Sequence, residues 1–204
     1  MKVFDFKPAP IYIEDSNYKL SGIQYKILSE LEIGNLTLSE EKYILDMKEF
    51  KGLRDTIMEH VEVFARQICS FPEEISFRLT QSWYRETKFG ENLPMHNHTN
   101  SILSGVYYAD VPSGNGHDFL NFFCDDTFFK NFQFCWTPKE YNKYNSQHLQ
   151  VQVKGGTIIL FPSWINHFVT ENFSKEQTRK IISFNLFVTG TFDLGSNYPT
   201  QLTI

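Results

Sequence analysis

The texture of the chain changes near residue 75, and that change constrains the fold more than any other feature. Before it, apolar residues recur with helical spacing: Leu53, Ile57, Val61, Phe64 and Ile68 stand four, four, three and four positions apart. That spacing lays one apolar stripe along an α-helix, which must stop before Phe71-Pro72. Ser39-Glu-Glu-Lys is a further candidate helix start, its acidic residues suiting the positive end of the helix dipole. After Pro72 the pattern is β. Bulky residues alternate over 75–83, and β-branched and aromatic residues fill 102–111, 119–124, 149–153, 157–161, 167–170 and 181–188. Gly155-Gly156 reads as a turn. Some seven short strands without helical segments between them predict a sandwich or barrel rather than alternating βα units. The expected organisation is one domain over 1–204: a helical N-terminal part (1–74), a β core (75–190) and a tail (191–204), with 128–146 as a surface loop.

Composition narrows the class. Hydrophobic residues make up 41% and aromatics 16%, with 20 phenylalanines, which excludes a largely disordered chain. No run approaches the roughly 20 apolar residues of a membrane-spanning helix, so no membrane association is expected. A formal charge of −5 argues against a nucleic-acid partner. Cys69, Cys124 and Cys135 are odd in number and lack CxxC spacing, so they read as reduced core thiols. With no secretory pattern at the N-terminus, the expected location is the cytoplasm.

Histidine carries the chemical signal. His96 and His98 flank Asn97, and in an extended segment side chains two apart point to the same face. Two imidazoles so placed suit a transition metal. A third, His167, closes Gly155-Gly-Thr-Ile-Ile-Leu-Phe-Pro-Ser-Trp-Ile-Asn-His, a polar residue after an apolar strand. A lone Arg179 follows twelve residues later, at the start of another strand. The remaining histidines read as structural: His117 in a turn, His148 before a strand, His60 among polar helix positions. Trp83, Trp136 and Trp164 read as core or cleft walls, and Asp125-Asp126 as a turn. Phe128, Phe129, Phe132 and Phe134 mark either a homodimer patch or a lid.

Taken together, His96-Asn-His98, Leu103-Ser-Gly-Val-Tyr-Tyr108, Gly156-Thr-Ile-Ile-Leu-Phe-Pro-Ser-Trp-Ile-Asn-His167 and Arg179-Lys-Ile-Ile-Ser-Phe-Asn185 resemble the 2-oxoglutarate- and Fe(II)-dependent oxygenases. Within them, the chain is similar to an oxygenase group of phages and marine bacteria, whose opening Phe6-Lys-Pro-Ala-Pro-Ile-Tyr also matches. The resemblance implies a mainly β (α+β) fold, a double-stranded β-helix of jelly-roll or cupin-like type with an N-terminal helical buttress. It implies a dioxygenase, a hydroxylase of unknown substrate, that couples oxidative decarboxylation of 2-oxoglutarate to C–H oxidation with O2. His96 and His167 fall on metal-ligand positions, Arg179 on the residue for the far carboxylate of 2-oxoglutarate, and Ser183 and Tyr108 on its neighbours. A guanidinium suits that task, because it pairs bidentately with a carboxylate and stays charged when buried. His98 stands where the usual triad has a carboxylate. Three outcomes are open there: His98 as the third ligand, a vacancy, or Asp118 supplying the carboxylate. Were the chain phage-encoded, its location would be the host cytoplasm. Two rival readings are a three-His cupin-type dioxygenase independent of 2-oxoglutarate and a non-catalytic phage β-sandwich interaction module.

Overall fold

The computed structural model describes residues 9–112, 119–123, 139–140, 142, 146, 148–192 and 201–204. The N-terminal part supplies two α-helices, α1 (Gly22–Glu30) and α2 (Lys51–Val63). A capping box starts α1: the Gln24 N–H donates to Ser21 Oγ at 3.3 Å and the Ser21 N–H to Gln24 Oε1 at 2.8 Å. Helix α2 runs into a π-helical turn over Phe64–Ile68. Leu53, Ile57, Val61 and Phe64 are buried as their spacing predicts, whereas Ile68 is 45% exposed. The wider π turn carries it off the stripe.

No α-helix begins at Ser39, contrary to expectation. Ser39 is fully buried and sews this segment to a strand: its N–H donates to Tyr84 O at 2.9 Å, and its Oγ accepts from the Tyr84 N–H at 3.0 Å. A serine hydroxyl that serves a neighbouring strand is not available to cap a helix.

Among the described residues ten strands follow the expected order, with three additions. They are β1 (Tyr12–Asp15), β2 (Ile75–Thr87), β3 (Leu93–His96), β4 (Leu103–Asp110), β5 (Phe119–Phe123), β6 (His148–Gln152), β7 (Thr157–Pro162), β8 (Asn166–Val169), β9 (Arg179–Phe192) and β10 (Leu202–Thr203). β1, β3 and β10 were not legible because each is short, and β3 contains Pro94. One sheet runs β1-β7-β4-β9-β10 with β2 also paired to β9; the other runs β3-β8-β5-β6. The paired strands are antiparallel throughout. The architecture is the mainly β, double-stranded β-helix type.

The larger sheet is buried on both faces. Ile158, Leu160, Tyr107, Ile182 and Phe184 join Leu53, Ile57 and Val61 of α2 in one buried cluster. Their neighbours Ile159, Phe161, Tyr108 and Ile181 face inward, with Leu120, Phe122 and Val169 of the smaller sheet. Burial on two sides explains why 158–161 is continuously apolar rather than alternating. Close packing fixes Gly105: a Cβ there would lie 2.4 Å from the Phe184 ring. Gly156 takes a φ of +92°, as the predicted turn requires. No helix among the described residues is long and apolar enough to cross a membrane.

Candidate metal centre and its cavity

Three histidines meet between the sheets. His96 ends β3 and His167 lies on β8, and the antiparallel register pairs them directly. His98 follows in the loop after β3, its backbone N–H donating to Ser163 O at 3.0 Å. The ring centroids lie 4.3 Å (His96–His167), 5.1 Å (His98–His167) and 5.4 Å (His96–His98) apart. One ligand nitrogen from each ring comes within 4.8 Å of the other two, a cluster able to hold one metal ion.

Hydrogen bonds fix which nitrogen is offered. His96 Nδ1 sits 2.9 Å from Pro94 O, and His167 Nδ1 sits 3.0 Å from Ile165 O. A backbone carbonyl only accepts, so each Nδ1 carries the proton and each Nε2 keeps its lone pair. His98 Nδ1 donates to Asn185 Oδ1 at 2.6 Å. That oxygen also accepts from Ser104 Oγ at 2.9 Å, and Ser104 continues to Ser163 at 2.7 Å and Ser163 to Ser101 at 2.8 Å. A chain of hydroxyls thus anchors Asn185, and Asn185 orients His98. Such outer contacts set tautomer and ring angle at metal sites.

Burial keeps all three rings neutral. It pulls His167 down to about 3, against the smaller upward effect of its bond to Ile165. His96 is lowered by burial and further by the charge of Arg85, and His98 is lowered mainly by burial. Neutral imidazole is the form that binds metal.

The histidines open onto a cavity of about 370 Å³. Its walls include Trp83, Arg85, Tyr108, Ser183 and Asn185. Register explains the set, because paired residues share a face. Asn185 pairs with Gln81 and Ser104, Ser183 with Trp83 and Val106, and Ile181 with Arg85 and Tyr108. The predicted residues therefore converge, with one displacement. Arg179, 1% exposed, is not among the residues lining the cavity, and its Nη2 donates to Thr170 O at 2.7 Å.

The sequence does not single out Arg85 or the orienting part of Asn185. Arg85 shares a strand face with Gln81 and Trp83, so a basic residue at an inward position was its available signal. Asn185 had none, since its role depends on a loop histidine 87 positions away. Trp83 walls the cavity, its ring 5.6 Å from that of His98, while Trp164 is 63% exposed. His60 bonds Tyr12 Oη at 2.7 Å, and His148 stacks on Phe168 at 5.3 Å. Asp118, His117, Trp136, Cys124, Cys135, the Asp125-Asp126 pair and Phe128, Phe129, Phe132 and Phe134 lie outside the described residues.

Comparison with known proteins places this site in a class. The family model described as "Putative 2OG-Fe(II) oxygenase" matches residues 81–185, just over half of the chain and all of the histidine site. The chain belongs to that 2OG-Fe(II) oxygenase family: it is a 2-oxoglutarate-dependent Fe(II) oxygenase. Among similar solved structures is a prolyl-4-hydroxylase from Pseudomonas putida, 12% identical, with 86% of this chain and 91% of that one covered at a TM-score of 0.53. HygX from Streptomyces hygroscopicus, bound to nickel, 2-oxoglutarate and hygromycin B, is 10% identical over 87% of this chain and 82% of that one, at 0.58. A prolyl hydroxylase from Trichoplax adhaerens, bound to a hypoxia-inducible-factor peptide fragment, is 12% identical over 87% and 83%, at 0.55. At such identities the likeness is one of fold. No curated protein matches the sequence. Iron and 2-oxoglutarate are the cofactor and co-substrate of this enzyme class, and three neutral, converging imidazole donors suit the metal.

Proposed function

We propose that the Nε2 atoms of His96, His98 and His167 hold Fe(II), and that Arg179, Ser183 and Tyr108 receive the far carboxylate of 2-oxoglutarate. The enzyme then uses dioxygen to hydroxylate a substrate seated in the same cavity. The observation that carries this reading is the pinning of all three Nδ1 atoms, which leaves an Nε2 lone pair on each of three rings whose ligand atoms lie within 4.8 Å of one another. When bound, iron supplies the redox chemistry that couples decarboxylation of 2-oxoglutarate to oxidation of a C–H bond.

The chain's own residues do the remaining work. His98 stands in the sequence position of the usual carboxylate and leaves the site one positive charge richer, which strengthens its hold on a dianion. Ser183 and Tyr108 are diagonal neighbours across β9 and β4 on the cavity face, placed to bond one carboxylate. Arg179 shares their face and, buried as it is, stays charged. Phe161 packs 4.7 Å from the His167 ring and 5.1 Å from Phe122, an apolar backing that holds that imidazole in place. We further propose that the helical and β parts work as one domain, supported by their shared buried cluster. A reducing cytoplasm as location is supported by the half-buried free thiol of Cys69.

The test is conversion of 2-oxoglutarate to succinate by iron-loaded protein. Succinate is expected from the wild type and at least about a hundredfold less from His167→Ala. Iron uptake without succinate would contradict the reading and leave a three-His dioxygenase that bypasses 2-oxoglutarate.

A further inference from the structure

We infer that Arg85 is a second anion anchor of the cavity, and that the primary substrate carries an anionic group of the carboxylate class that pairs with it. This rests on the oxygenase reading above and extends it to the class of substrate.

Arg85 is 3% exposed and lines the same cavity as the three histidines. Its Nε donates to Thr37 Oγ1 at 3.0 Å and its Nη2 to Asn92 O at 2.6 Å. A guanidinium offers five N–H donors, so these two neutral acceptors leave Nη1 unused. Among the described residues Arg85 makes no ion pair, and no Asp or Glu lines the cavity. Glu91 acts on it only at a distance, as a weaker influence than burial or Arg179. Burial and the nearby Arg179 pull Arg85 down to about 10, so it is still charged at neutral pH. A buried cation held by carbonyl and hydroxyl oxygens alone is costly, and an arriving anion removes the cost.

Charge counting assigns that anion to the substrate. With the far carboxylate of 2-oxoglutarate on Arg179, its other carboxylate offsets one charge of the divalent ion, and Arg85 keeps its own. Three neutral imidazoles add nothing, so two positive charges are left over in a cavity to which the described residues contribute no acid. Arg85, paired with Ile181, stands one row nearer than Arg179 to Asn185, which bonds His98, and this places it on the metal side of the cavity. A substrate held there would bring its anionic group to Arg85 and its reacting carbon toward the metal.

The test uses the full chain loaded without oxygen with Mn(II) and 2-oxoglutarate, and bromide as the probe. Crystals soaked in bromide are expected to show an anomalous peak within about 3.5 Å of the Arg85 guanidinium, with 2-oxoglutarate still present. Arg85→Gln should lose the peak and Arg85→Lys should keep it. In solution, Arg85→Gln should hold 2-oxoglutarate within about threefold of the wild type, while Arg179→Gln weakens it at least about tenfold. A wild-type crystal with no bromide at Arg85 would overturn the inference. So would an Arg85→Gln variant that loses 2-oxoglutarate as Arg179→Gln does, because Arg85 would then serve the co-substrate. Failure of the wild type to take up Mn(II) and 2-oxoglutarate would sink the proposed function itself, and this inference with it.

Discussion

The two faces of the larger sheet are built from the same strands and do opposite jobs. Outward, Tyr107, Ile158, Leu160, Ile182, Phe184 and Leu186 pack on the helices as an apolar layer. Inward, one residue along, stand Tyr108, Ser183, Asn185, Ser104 and Arg85, each buried and each polar at its tip. The strands thus keep their place through one face and spend the other on positioned polar groups, which would not stabilise a core by themselves. Substitutions outside should therefore cost stability and spare the site, while substitutions inside should chiefly cost metal and co-substrate binding.

Phe184→Ala is the severest way to press on that contrast. Removing this fully buried ring should cost about 3–5 kcal/mol in chemical denaturation, while the protein still folded binds iron as before. Weakened iron binding in the folded fraction would mean that the faces are coupled. Acid should act next, and on the inner face. His167 is held far below its unfolded value, so between about pH 6.5 and about pH 3 the unfolded chain takes up a proton that the folded one refuses. Metal-free protein should lose stability as the pH falls through that window, and His167→Gln should flatten the slope, as followed by melting at stepped pH. Asn185→Ala, which frees the His98 ring, should weaken metal binding about 10–100-fold by competition with a chelator. Least is expected from Ser21→Ala, far from both faces: loss of the α1 cap should cost about 1 kcal/mol in melting and leave iron and 2-oxoglutarate affinities unchanged.

This contrast also explains what was legible in the sequence. Strands buried on both faces are rich in β-branched and aromatic residues, and 102–111, 157–161 and 181–188 announced themselves. His96, His98 and His167 were legible because spacing along a strand and position after one are local properties. Ser39 was misread because a buried serine that bonds Tyr84 looks, in sequence, like a helix cap. Arg85 and the hydroxyl chain behind Asn185 were hidden because they depend on register between β2, β4 and β9, which no local pattern records. Arg179, which the resemblance sets at the far carboxylate of 2-oxoglutarate, stands in the fold one row beyond Arg85 and off the cavity lining.

We propose that His98 completes a three-imidazole iron site. This is tested most directly by titrating metal-free protein with Fe(II) and then 2-oxoglutarate in the absence of oxygen, watching the visible charge-transfer band of the chelate in wild type and His98→Ala. The wild type should develop the band, and His98→Ala should weaken it, with iron affinity lower by at least about tenfold. A variant that binds iron and develops the band as the wild type does would contradict the proposal, and would hand the third position to another group.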